Sequence, residues 1–116
     1  MPITARYVFI ASMDVDLDKE ALFNEVYDQE HVPNLLKVPG VISVTRLKTE
    51  PATVMIGGEE RPLTGEGQST YSAIYEIESP DVVRSDAWAK AVEDGRWPEQ
   101  VRPYTRNRQH ILRKVV

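Results

Sequence analysis

Polar and apolar residues alternate along four stretches of this chain and recur at helical spacing along two others. The order of those stretches sets out an architecture. Arg6 to Met13 (RYVFIASM) reads as a first strand. Tyr7, Phe9, Ala11 and Met13 take one face, while Val8 and Ile10 share the other with Arg6 and Ser12, so both faces are apolar in the middle and call for cover. Val41 to Lys48 (VISVTRLK) is a second strand, with Ile42 and Val44 opposite Val41 and Leu47. Thr70 to Glu78 is a third, with Tyr71, Ala73, Tyr75 and Ile77 on one face, and Tyr104 to Arg113 (YTRNRQHILR) is a fourth.

Between the first two strands, Asp16 or Asp18 is placed to cap a helix with Lys19 and Glu20 in its first turn. Phe23, Val26, Tyr27, Glu30 and His31 lie along one side of it. Pro33 disfavours helical geometry at Val32 and removes a donor, which predicts that the regular helix ends there, with room for one more turn over Asn34 to Val38 before Pro39-Gly40. Ser79-Pro80-Asp81 opens a second helical region that restarts at Ser85 and finishes before Gly95. A short irregular stretch lies between Pro98 and Pro103.

The segment 49–69 is far longer than a hairpin loop of 2–5 residues. Val54-Met55-Ile56, Gly57-Gly58 and Glu59-Glu60-Arg61 predict a small hairpin arm or loop inserted there. The element order is β-α-β-β-α-β, a ferredoxin-like α+β domain with a four-stranded antiparallel sheet and two helices on one face, in one domain over 1–116. The other sheet face is left open with apolar residues on it, and a second copy of the chain is the simplest cover, giving a homodimer.

Composition narrows the chemistry. Among 116 residues, 41% are hydrophobic and 28% charged, as in a packed globular domain. A net charge of −4 argues against nucleic-acid binding. The absence of cysteine removes thiol nucleophiles, disulfides and zinc-thiolate sites. No apolar run reaches a membrane span, and Met1 to Met13 lacks the pattern of a signal peptide, so no membrane partner and a cytoplasmic location are expected. There is no phosphate loop, HExxH, GxSxG or carboxylate cluster at metal-ligand spacing, and no metal or resident cofactor is expected.

Two constellations remain. In Tyr27-Asp28-Gln29-Glu30-His31, Tyr27 and His31 share a helix face and Asp28 flanks the histidine. Near a helix C-terminus the dipole favours the imidazolium, which suits a general acid/base, and the same position equally suits a capping histidine that bonds a carbonyl. The second runs from Trp97 to His110. Strict alternation puts Tyr104, Arg106, Arg108 and His110 on one face, either a charged solvent-facing edge or the wall of a wet pocket for an anionic ligand. Trp88, Trp97, Tyr71 and Tyr75 are candidate lining aromatics or core. The predicted substrate contacts are thus Asp28, Trp88, Trp97, Tyr104, Arg106, Arg108 and His110, around catalytic His31 and Tyr27.

With this order of elements and residues 26–48 in view, the chain resembles the dimeric α+β barrel superfamily, and within it the EthD-like proteins. Those carry Trp-Tyr-x-x-x-His-x-Pro at the end of the first helix, then a Pro-Gly turn and a second strand. The corresponding residues are Val26, Tyr27, His31, Pro33, Pro39 and Gly40, continuing as VISVTRLK, with Val26 in place of the tryptophan. The resemblance implies two subunits with sheets face to face and a small-molecule cleft in each, open to an aromatic or anionic ligand. It implies a cofactor-independent lyase, isomerase or small oxygenase acting on an aromatic or polyketide-like compound. There His31 would move a proton, Tyr27 would orient it or stabilise an enolate, and Arg106 or Arg108 would hold a carboxylate. The alternatives it carries are a non-catalytic ligand-binding or accessory protein, and a haem-binding barrel with His31 or His110 as axial ligand.

Overall fold

The structure, a computed structural model, describes residues 3–116. Four strands form the main antiparallel sheet in the order β2-β5-β1-β6: β1 (Tyr7–Val15), β2 (Val41–Lys48), β5 (Tyr71–Ile77) and β6 (Thr105–Lys114). The intervening β3 (Ala52–Ile56) and β4 (Glu59–Leu63) pair only with each other, as a two-stranded arm turning at Gly57-Gly58. Helices α1 (Glu20–Val26), α2 (Val32–Leu36) and α3 (Asp86–Ala91) cover one face of the sheet. This is the ferredoxin-like α+β fold expected from the element order. Among the described residues no helix is long and apolar enough to cross a membrane.

Pairing explains which strand residues enter the core. Tyr75 faces Phe9 and Val44, and Ala73 faces Ala11 and Arg46, so these residues share the helix-covered face. Phe23, Val26, Leu35, Tyr75 and Ile77 are all but completely buried beneath the helices. On the opposite face, Ile10 stands level with Ile74 on one side and Ile111 on the other, an apolar row across three strands that no part of the chain's helical layer covers. A bulge between Val41 and Ser43 shifts β2 by one residue and brings Val41 to the same face as Val44, where uninterrupted alternation had separated them.

The helical segments depart from the sequence reading at two points and agree with it at Ser85. Neither Asp16 nor Asp18 caps a helix with its side chain; Asp16 instead accepts a hydrogen bond from Arg106 at 2.8 Å. Ser85 does cap α3, its hydroxyl accepting from the Trp88 N–H at 3.2 Å. Pro33 does not end the first helix. Residues Tyr27–His31 form a π-helical turn in which Val32 N–H donates to the Tyr27 carbonyl, and the chain then continues as α2 to Leu36. A proline ring collides with the carbonyl four residues back in a regular α-helix. The wider turn makes room for it, and the helix absorbs the proline by locally underwinding without breaking.

Candidate functional site

A cleft of about 190 Å³ opens between the helical layer and the sheet. The π-helical turn sets its inner wall by carrying Tyr27 and His31 on one side, both buried. A second π-helical turn, Trp97–Val101, lies opposite and is likewise followed by a residue and a proline, Arg102-Pro103. It brings Trp97 flat against the imidazole, with ring centroids 4.3 Å apart and planes at 22°. Tyr27 meets the same imidazole edge-on at 5.0 Å.

His31 is 5% exposed and its Nδ1 has no hydrogen-bond partner. A buried polar atom left unpaired costs about 1–3 kcal/mol, and this nitrogen is itself sealed inside the packing. Burial is the main reason that the imidazole pKa falls to about 4; the Arg102 charge lowers it further and Glu93 partly offsets this. The ring is therefore neutral near pH 7. This corrects the expectation of an imidazolium favoured by a helix end. The helix runs on past His31, so the dipole terminus lies beyond it. Asp28 turns away to Arg46 at 2.8 Å and Glu30 bonds Arg96, so neither carboxylate supports a charge on the ring.

At the floor, the hydroxyls of Tyr27 and Tyr75 are 2.8 Å apart. Burial raises the pKa of Tyr27, and burial together with the neighbouring Tyr27 raises that of Tyr75 well above the ordinary value. Both phenols stay neutral. Two hydroxyls sharing one bond retain a second proton to offer to a ligand oxygen. Behind Tyr27, the Arg46 guanidinium lies 4.6 Å from the ring centroid and bonds Asp28 and Asn24, each at 2.8 Å. Trp88 closes the side, edge-on to Phe9 at 5.6 Å and to Tyr75 at 5.3 Å.

The mouth is basic. Arg102 is committed to Glu93, at 3.0 Å through one nitrogen, and to the Val92 carbonyl at 3.0 Å. Arg108 also lines the cleft and makes no ion pair or side-chain hydrogen bond among the described residues. His110 stacks on Phe9 at 5.8 Å, and burial, then the Arg108 charge, lowers its pKa. The loop that presents Trp97 is held by Glu30, whose carboxylate accepts the Arg96 backbone N–H at 2.9 Å and also pairs with the Arg96 guanidinium. Gly95 is needed at that point. Its φ is +72°, and a Cβ there would sit 2.5 Å from a Glu30 carboxylate oxygen.

Of the residues singled out from sequence, the cleft gathers Tyr27, His31, Tyr75, Trp88, Trp97, Arg108 and His110, while Tyr71 packs in the core beside it. It does not gather Asp28, Tyr104 or Arg106. Tyr104 carries Lys19 over its ring at 4.6 Å, and Arg106 points to the opposite face, paired with Asp16. The reason is a bulge. In β6 the partners change between Ser12↔Gln109 and Asp14↔Arg106, with Asn107 at φ 52°, so strict alternation fails and only Arg108 and His110 keep the cleft face. Sequence reasoning missed Arg102 and the Glu30–Arg96 clamp. A usable signal was present, since Trp97 precedes Pro103 by the same spacing that separates Tyr27 from Pro33.

The fold and its cleft define a ferredoxin-like α+β domain with a small pocket between sheet and helices. Similar solved structures include the haem-degrading protein MhuD of Mycobacterium tuberculosis with two haems bound in its active site (16% identity, 95% of each chain covered, TM-score 0.60). An EthD-family protein of Bacillus halodurans is similar at 13% identity, with 95% of this chain and 99% of that one covered and a TM-score of 0.59. The cofactor-independent oxygenase SnoaB of Streptomyces nogalater shares 16% identity over 96% of this chain and 94% of its own, with a TM-score of 0.60. No family model matches the chain, and no curated protein does. The EthD-like resemblance carried by Tyr27, His31, Pro33 and the Pro39-Gly40 turn therefore agrees with the fold.

Proposed function

We propose that the cleft binds a small aromatic or anionic compound and acts on it without a cofactor, as a lyase, isomerase or small oxygenase, with neutral His31 as general base. The observation that carries this reading is the buried imidazole that lines the cleft, stacked on Trp97 and with no carboxylate bonded to it. An uncharged ring is ready to accept a proton from an acidic C–H or O–H of the ligand. The negative charge left on the substrate oxygen would be met by the spare proton of the Tyr27–Tyr75 pair, a donor fixed in advance in a water-poor site. Trp97, stacked on His31, holds the ring in one orientation.

Proton exchange tests this without knowledge of the full reaction. A panel of enolisable aryl ketones in deuterated water should exchange faster with the protein than without it. His31→Ala should remove about 100-fold or more of that acceleration. Ligand binding with no acceleration by the wild type would favour a non-catalytic accessory role instead. The haem reading fits the residues poorly. A cavity of about 190 Å³ holds a ring or so, not a porphyrin, and His31 lies flat on Trp97 at 4.3 Å beneath the surface. His110 is likewise stacked on Phe9.

The working unit in this proposal is a dimer, with a second copy packed on the open sheet face. The Ile10, Ile74 and Ile111 row supports it, as does Leu47 at 47% exposure on the same face. Light scattering at micromolar concentration should give twice the chain mass, and Ile10→Asp should halve it. A wild-type mass of one chain would rule the dimer out.

A further inference from the structure

The mouth of the cleft contains a charge that the protein itself leaves unanswered. Arg102 is neutralised by Glu93, whereas Arg108 has no acidic partner among the described residues and faces the cleft beside His110. Other cations, Arg113 and Lys114 among them, also make no ion pair among the described residues, but Arg108 is the one of these that lines the cleft. Its placement is also built with some effort. Met13 of β1 stands opposite two residues of β6, Asn107 and Arg108, and Asn107 takes the left-handed φ of 52° that side chains rarely adopt. That bend is tied at two points. The Asn107 carbonyl accepts from the Ser69 hydroxyl at 2.7 Å, and its side-chain amide donates to Asp14 at 3.3 Å. Without the extra residue, the alternation set by Asp14↔Arg106 would carry on, turning Arg108 to the open face with Arg106.

The interior sets the other half of the specificity. About 190 Å³ between Phe9, Trp88 and Trp97 suits one aromatic ring, given that a cavity of about 150 Å³ holds benzene. We propose that the cleft selects a one-ring aromatic acid, its ring between these aromatics and its carboxylate on Arg108, with Asn107 as the positioning residue that aims the guanidinium. This deepens the reading of the cleft as a small-molecule site and rests on it. It does not depend on His31 being a base.

Both tryptophans of the chain line the cleft, so their fluorescence reports occupancy directly. Benzoate should bind about tenfold or more tightly than benzamide, which has the same shape and no charge. The preference should persist in His31→Ala and vanish in Arg108→Gln. Asn107→Gly, which accepts positive φ freely, should keep it. Asn107→Val should lose it while retaining the wild-type circular dichroism spectrum. Three results would each overturn the proposal: equal binding of acid and amide, no binding of either at millimolar concentration, or a preference that survives Arg108→Gln. Acid preference together with absent proton exchange would leave this inference standing and remove the base.

Discussion

Between pH 7 and about pH 4 the fold should lose about 3 kcal/mol of stability through His31 alone. The folded pKa of about 4 lies below the 6.5 of the free side chain, so in this interval the unfolded chain binds a proton that the folded one refuses. Stability then rises with pH across the interval. It is fully present above the unfolded value and falls away as acid approaches the folded one. Asp14, Glu30 and Glu76 have lowered pKa values from hydrogen bonds to Thr70, Arg96 and Ser43 respectively, and they lose their contributions at more acid pH. Urea unfolding at half-unit steps from pH 7 to pH 4.5 separates the two regimes. Wild type should show a declining midpoint and His31→Gln a nearly flat one over that range. A wild-type midpoint that does not move would mean that His31 titrates normally in the folded protein.

Phe23→Ala should cost about 3–5 kcal/mol, enough to leave a domain of this size largely unfolded or close to it. Phe23 is 0% exposed and packs on Tyr71 at 4.9 Å, Tyr27 at 5.5 Å and Trp97 at 6.0 Å. Its ring thus ties the helix, the sheet and the second π-helical turn together. Alanine would leave a void among three aromatic rings that cannot close over it without dragging the walls of the cleft. Phe23→Leu, which keeps most of the volume, should cost much less but should loosen Trp97. Chemical denaturation gives the first effect, and the Trp97 fluorescence maximum gives the second. A Phe23→Ala protein as stable as wild type would show that the contacts described around this ring are not made.

The strand order was legible because the alternation in RYVFIASM, VISVTRLK and TYSAIYEIE persists over enough residues to fix both type and face. The cleft was legible where helical spacing or a bulky aromatic marked the residue, hence Tyr27, His31, Trp88 and Trp97. It failed where one residue changes the count. Asn107 shifts β6 and sends Arg106 and Arg108 to opposite faces, and periodicity has no way to register an insertion that only backbone dihedrals reveal. Pro33 misled for a related reason. A proline reads as a stop in an α-helix, yet a π-helical turn placed before it lets the helix continue, so His31 sits inside a helix and not at its fraying end. The charge state of His31 was then wrong because it was inferred from that end.

One property of the sheet has a bearing on how the chain is made. Each of its three ladders, β2–β5, β5–β1 and β1–β6, joins a strand from before Gly57-Gly58 to a strand from after it. Neither half holds two strands that pair with each other in that sheet. During synthesis, therefore, nothing in the first half can begin the sheet until the second half has emerged, and β1, with its apolar residues on both faces, must wait uncovered for β5. Contacts so distant in sequence slow folding and lengthen the exposure of apolar strands. The same interleaving means that a chain severed at the tip of the arm would yield two fragments that are unfolded apart and complementary together.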